Sequence, residues 1–251
     1  MKRQFAYRLV VLIAICWFTS FESGAQSFWI GAGGAYNGTW LLNDNVNDQG
    51  PNLNPAATGA PSLGIMALYM ANEIFGVSLE GQLSRIDQRF NGTDAGVDFE
   101  ARTKTSWIDI PLLLFLRSKG GFYMEIGPQF SLLNKVTETA ETTPSSPLAY
   151  TDKDFTDNFK SNQISGVFGL GGMFPITETI SLKGGLRLQY GFTDVIVELS
   201  EAEFLPKLLN NELSIPAAYA HLDQNRQYSY EPTNALSAGI RLGVLFMLSG
   251  E

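Results

Sequence analysis

The single histidine, His221, stands near Asp223 and Ser229, the residue types from which a general base, an orienting acid and a nucleophile are made. No spacing rule joins the three, and a solvated loop histidine accounts for the grouping. Asp152, Asp154 and Asp157 crowd oxygen donors into one stretch, and Asn43, Asp44, Asn45, Asn47 and Asp48 into another. Neither has the glycine and terminal glutamate of a calcium loop, so acidic, solvated loops account for both. Gly31, Gly33 and Gly34 lack the lysine and following helix of a phosphate loop. These residues assign no catalytic group, cofactor site or metal site, and the chain is expected not to be an enzyme.

A last set behaves differently. Glu80, Asp109, Glu125, Lys183, Arg187 and Arg241 are isolated charges, and each lies on the polar side of a segment that alternates with period two. In the C-terminal segment Leu236, Ala238, Ile240, Leu242, Val244, Phe246 and Leu248 oppose Ser237, Gly239, Arg241, Gly243, Leu245 and Met247. Residues 180–193, 122–133 and 75–84 repeat the pattern, and 164–174 is a glycine-rich version. Residues 28–40, 63–71 and 103–116 are weaker cases; in the last, Leu113 and Phe115 spoil the polar row. Eight strands result. Short turns at 71–73, 118–120 and 177–179 alternate with long, mostly acidic connections at 42–61, 91–102, 135–161 and 194–232. That alternation predicts an all-β, eight-stranded, antiparallel up-and-down transmembrane β-barrel with short periplasmic turns and long extracellular loops.

A soluble barrel would alternate too, with its polar row in water. Here that row is mostly Gly, Ser, Thr and Gln, without the dense Lys/Glu decoration of a solvated surface, so the apolar row is expected to face lipid. The six charges then point into a narrow lumen, acids on the middle strands and bases on the last two, where they are expected to pair. Pairing offsets a cost of several kcal/mol for each lone buried charge. Phe28 and Phe246 at one rim, and Tyr36, Trp40, Tyr190 and Phe192 at the other, fit interfacial girdles as well as ordinary β-propensity.

Lys2, Arg3 and Arg8 accompany an apolar run over 9–18, and Ser23 and Ala25 precede a cut before Gln26. Residues 1–25 are expected to be a cleaved signal peptide and 26–251 one barrel domain. Cys16 lies within that run, after Ile15 where a lipoprotein signal needs a small residue. Cleavage removes three basic residues and one acid, leaving 14 against 24 and no cysteine, which excludes disulfides and thiolate chemistry and argues against a nucleic-acid partner.

The strand Trp107-Ile108-Asp109-Ile110-Pro111-Leu112-Leu113-Leu114 and the following Phe122-Tyr123-Met124-Glu125-Ile126-Gly127-Pro128-Gln129 resemble the central hairpin of the PorT-like outer-membrane barrels. The order of turns and loops fits that family along the mature chain. The terminal Phe246-Met247-Leu248-Ser249-Gly250-Glu251 departs from the aromatic ending of many barrels. The resemblance implies a Gram-negative outer membrane and, from the name-giving member, a share in protein secretion. The leading expectation is a non-catalytic, monomeric barrel, belted by outer-membrane lipid, whose acidic loops contact the envelope or another protein. A secretion component or narrow pore is the alternative, and a lipid-modifying enzyme the second.

Overall fold

The computed structural model describes residues 26–94, 96–143 and 149–250; the expected signal peptide lies outside them. Nine strands appear among the described residues: β1 (Ser27–Leu42), β2 (Asn54–Met70), β3 (Phe75–Asp94), β4 (Val97–Arg117), β5 (Phe122–Thr143), β6 (Tyr150–Asp154), β7 (Asn162–Pro175), β8 (Ile180–Gly191) and β9 (Asn234–Gly250). Eight close into an antiparallel ring in which each pairs with its neighbours in the chain, β5 with β7 and β9 with β1. The short β6 pairs only with the upper part of β5.

The three tight turns are built from residues suited to them. Asn72 accepts the N–H groups of Ile74 and Phe75 through its side chain, each at 2.8 Å. Thr177 does the same for Thr179 and Ile180. Gly121 takes a left-handed φ of +84°, which a side chain would disfavour.

Between the turns and the loops the outward row is hydrocarbon: Ile65, Leu79, Leu83, Ile110, Leu112, Ile126, Phe168, Leu186, Ile240 and Leu242 are all exposed. A side chain exposed on every strand of a closed ring belongs in lipid, because water on such a belt would cost about 25 cal/mol for each Å². Phe28, Tyr36, Tyr190, Phe192 and Phe246 are exposed near its edges, and Trp40 lies over Gly38.

Two expectations change. The stretch at 91–102 is not an open loop: β3 and β4 stay paired from Phe75↔Leu116 to Asp94↔Val97. At 20 to 22 residues β3, β4 and β5 are about twice the ~9–11 that a membrane-spanning strand needs, so they continue upward as a ribbon. Its polar composition hid a thin core of Ile86, Phe90, Ala101, Val136 and Ala140. The remaining long connections also hold structure: a short helix α1 (Asp44–Asn47), and in the last one α2 (Glu201–Leu209) and α3 (Ile215–Ala220).

The inner row is not uniformly polar either. Toward the turns, Trp29, Met66, Leu68, Met70, Phe115, Tyr123, Met173 and Leu245 pack into an apolar plug. Leu113 and Phe115, which interrupt the alternation of β4, point inward with no exposure.

Candidate functional site

The six charges occupy inward positions on five strands: Glu80 on β3, Asp109 on β4, Glu125 on β5, Lys183 and Arg187 on β8, and Arg241 on β9. All are buried. Arg187 is the pivot. Its guanidinium holds Glu80 through Nη1 at 2.8 Å and Nη2 at 2.9 Å, and reaches Glu125 through Nε at 2.8 Å. Arg241 donates to Glu80 at 2.8 Å and to the Gln82 side chain at 3.0 Å. Lys183 donates to Glu125 at 2.7 Å, lies 3.8 Å from Glu80, and stands over the rings of Phe115 and Tyr123 at 5.2 and 4.9 Å. Five of the six thus form one cluster. Asp109 stands apart from it, accepting the Ser84 hydroxyl at 2.5 Å.

Glycines make the room. Across the sheet Glu125 pairs with Gly169, which pairs with Arg187, which pairs with Gly239; Lys183 faces Gly243 and Arg241 faces Gly185. A Cβ on Gly169 would come within 2.7 Å of the Glu125 side chain. The long charged groups fold over these gaps, and an eight-stranded ring has an interior about as wide as its side chains. Just above the cluster, a cavity of about 20 Å³ between Ser62, Asp109, Gln189 and Ser237 has room for one water. Three bases share two carboxylates in this layer, and each base is within ion-pair distance of at least one of them.

Above the lumen the loops pack into a cap. Asn43 donates to the Glu231 carbonyl at 2.7 Å and to Thr233 at 2.9 Å; Asn45 donates to the carbonyls of Ala220 at 3.2 Å and Ser229 at 2.5 Å. Gln49 reaches the carbonyls of Leu222 and Asp223. These bonds dock the first loop onto the last. A bulge at Ser106/Trp107 against Leu133/Lys135 reverses the facing of β5, so that Glu138 turns inward. There it accepts the Ile215 N–H at 3.0 Å and hydroxyls of Thr103 and Tyr150. Alternation alone could not place Glu138, and the sequence reading missed it, as it missed the three amides.

His221 is not a solvated loop residue: it has no exposure. Its Nε2 accepts the Leu199 N–H at 2.9 Å, so the proton sits on Nδ1 and is donated to the Ala217 carbonyl at 2.7 Å. Phe204 stacks on the ring at 5.2 Å and Tyr230 lies 4.5 Å away. Burial among these rings lowers its pKa despite the Ala217 bond. Nearby Asp194 is pushed up by burial, but Lys160, Tyr230 and the Thr233 and Ile196 N–H groups outweigh that and hold it low. Among the described residues no group of three or more His, Cys, Asp or Glu side chains could hold a metal ion. Asp152 pairs with Lys104 at 3.5 Å and Asp154 with Lys135 at 3.8 Å, while Asn43 and Asn45 are used in docking.

The family model "Outer membrane protein beta-barrel domain" matches residues 24–197, more than half of the chain. The chain belongs to that family. Its members' location, the outer membrane, agrees with the hydrocarbon belt. A search of curated proteins finds no match. Among solved structures this barrel is similar to Neisserial surface protein A, NspA, at 13% identity over 89% of this chain and 99% of that one, with a TM-score of 0.40. It is similar to the outer membrane protein OprG of Pseudomonas aeruginosa at 11% identity, 90% and 97% coverage and a TM-score of 0.39. The attachment invasion locus protein Ail of Yersinia pestis, solved with the heparin analogue sucrose octasulfate, matches at 11% identity, 90% and 100% coverage and a TM-score of 0.34. The architecture rests on the ring of strands and the family match rather than on these likenesses.

Proposed function

We propose that this protein is a non-catalytic, non-conducting outer-membrane barrel whose extracellular cap is its working part, a pre-folded surface for another envelope component or protein. The observation that carries this reading is the pairing of a plugged lumen with loops docked onto one another. Export behind residues 1–25, cleavage before Gln26, a lipid belt and a single barrel per unit belong to the same proposal. Both ring nitrogens of His221 are already bonded, which weighs against its use as a base. Photo-crosslinkers at Glu100 of the ribbon and Leu209 of α2, in intact cells, are expected to give discrete adducts. Only random lipid neighbours at both positions would overturn the reading. The purified barrel is expected to be silent in planar bilayers, and steady conductance would reject the sealed lumen.

The finer reading, a PorT-like protein with a share in secretion, rests on the resemblance of the 107–129 hairpin. On that reading crosslinkers at Asn72 and Lys119, in the periplasmic turns, give the stronger adducts.

A further inference from the structure

The first loop carries amides of two kinds. Asn43, Asn45 and Gln49 are buried and used in docking, whereas Asn47 and Asn54 are exposed and make no side-chain hydrogen bond among the described residues. Asn54 opens β2 directly opposite Asn91 of β3, whose amide is likewise exposed and unbonded. These three amides line a cavity of about 680 Å³ between the first loop and the tip of the ribbon. Asn91 stands eight residues above Leu83, the last exposed apolar residue of β3, so the cavity opens to water and not to the lipid belt.

The walls are stiff and chemically mixed. The Asn52 carbonyl lies over Gly92, where a Cβ would come within 2.1 Å of it, so a glycine there lets the first loop seat against the ribbon. Phe99, half-buried opposite Gly92, and the rings of Pro51 and Pro55 supply a small apolar floor. Among the described residues lining the cavity the one formal charge is Asp98. It accepts the Thr93 hydroxyl at 2.6 Å through one oxygen and leaves the other open to a ligand. No lining cation offsets it, so an anion is disfavoured. A peptide is poorly matched too, because β3 runs only three residues past Asn91, to Asp94, and leaves little edge to extend. Each amide brings N–H donors and a carbonyl acceptor, and three of them beside an aromatic face match the neighbouring hydroxyls and the C–H face of a sugar ring. Loops already docked onto one another hold them at little ordering cost.

We propose that this cavity binds a short, neutral oligosaccharide, its hydroxyls on Asn47, Asn54, Asn91 and Asp98 and one ring face on Phe99. A volume of this size suits a ligand of about two or three rings. The inference rests on reading the cap as the binding part of the molecule and names what it binds. Its test uses the full barrel in nanodiscs of zwitterionic lipid, with maltotriose, chitotriose and the anionic trigalacturonate as probes in saturation-transfer NMR. Beyond the signal of empty nanodiscs, at least one neutral trisaccharide is expected to bind saturably, and trigalacturonate is expected not to bind. Asn54→Ala and Asn91→Ala should each weaken the neutral sugar about tenfold. Neither amide bonds to the protein, so both variants should keep the wild-type proteolysis pattern. Asp98→Asn should admit trigalacturonate, and it keeps the test open if the alanine variants disturb the loop. Absence of saturable binding by both neutral sugars, or binding indifferent to both Asn54→Ala and Asn91→Ala, overturns the proposal. Trigalacturonate that binds the wild type as well as the neutral sugars do, or that Asp98→Asn still excludes, overturns it equally. Crosslinked adducts at Glu100 without saturable sugar reject this site alone. Saturable sugar without adducts at Glu100 or Leu209 gives the site to free sugar and rejects the display role alone.

Discussion

The lumen and the cap both bury polar side chains, and they satisfy them in opposite ways. In the lumen the partners are charges: Glu80 and Glu125 are held by Lys183, Arg187 and Arg241. In the cap they are chiefly neutral amides, Asn43, Asn45, Gln49 and Asn158, bonded to main-chain groups, with Glu138 the buried acid among them. The difference follows from the backbone. Every strand of the ring has its N–H and C=O groups engaged with two neighbours, so the inward carboxylates of the cluster, which need donors, find them on other side chains. Loops leave backbone groups unpaired, and an amide, carrying both donor and acceptor, can satisfy them without a charge to neutralise. The ladder of the lumen is therefore crossed by ions, and the loops of the cap are joined chiefly by amides.

The sharpest way to break this comparison is to remove the hub of the ions. Glu80→Gln leaves Lys183, Arg187 and Arg241 around Glu125 alone, and should cost about 3–5 kcal/mol of unfolding free energy. The measurement is the urea midpoint of the barrel in detergent micelles, and a midpoint unchanged from wild type would remove the cluster's claim to stability. Arg241→Leu is milder because Glu80 keeps its two bonds from Arg187. The loss of its bonds to Glu80 and Gln82 predicts about 2–3 kcal/mol, and any shift larger than that of Glu80→Gln would make Arg241 the hub instead.

These two regions were also unequally legible in the sequence. Period two placed Glu80, Glu125, Lys183, Arg187 and Arg241 on one side of their strands, because a strand turns alternate side chains to opposite faces whatever lies beyond. The glycines opposite them, Gly169, Gly239 and Gly243, stood on the same inner rows and were the available signal for how the cluster fits. Leu113 and Phe115 looked like faults in the alternation. They are inward residues of the apolar plug, and a strand between lipid and a plug has two apolar faces. The cap was illegible for a different reason: Asn45 and Ala220 lie 175 positions apart, and no local period connects them. The same holds for His221, whose burial comes from Phe204, Tyr228 and Tyr230 folding around it.

In the cap, Asn45→Ala removes two bonds to the last loop, and about 1–3 kcal/mol of docking should go with them. The effect is expected as faster proteolysis or amide exchange in residues 43–53 and 215–233, with the urea midpoint of the barrel unmoved. Equal loss in both would mean that cap and ring unfold as one unit. Acid should act in the same place. Because burial lowers the His221 pKa, the folded cap prefers the neutral ring; its contribution is present above about pH 6.5, the ordinary histidine value, and is lost as pH falls below it. Asp194, held low, adds a loss only further down, below the ordinary carboxylate range. Protection of the cap amides, corrected for the intrinsic exchange rate, should therefore fall between neutral and mildly acidic pH, and His221→Gln should flatten that fall; a fall that persists belongs to another group.

The smallest effect is expected on the outer face of the ribbon, where neither rule applies. Lys104 and Asp152 lie 3.5 Å apart with side chains 37% and 64% exposed. Water already satisfies both groups there, so the pair must order two mobile side chains for a screened attraction. Lys104→Ala should change cap exchange by less than about 0.5 kcal/mol at low salt and not at all in high salt. A larger, salt-resistant loss would show that burial is not what separates the strong ion pairs of this barrel from the weak ones, and the contrast between lumen and surface would need a different cause.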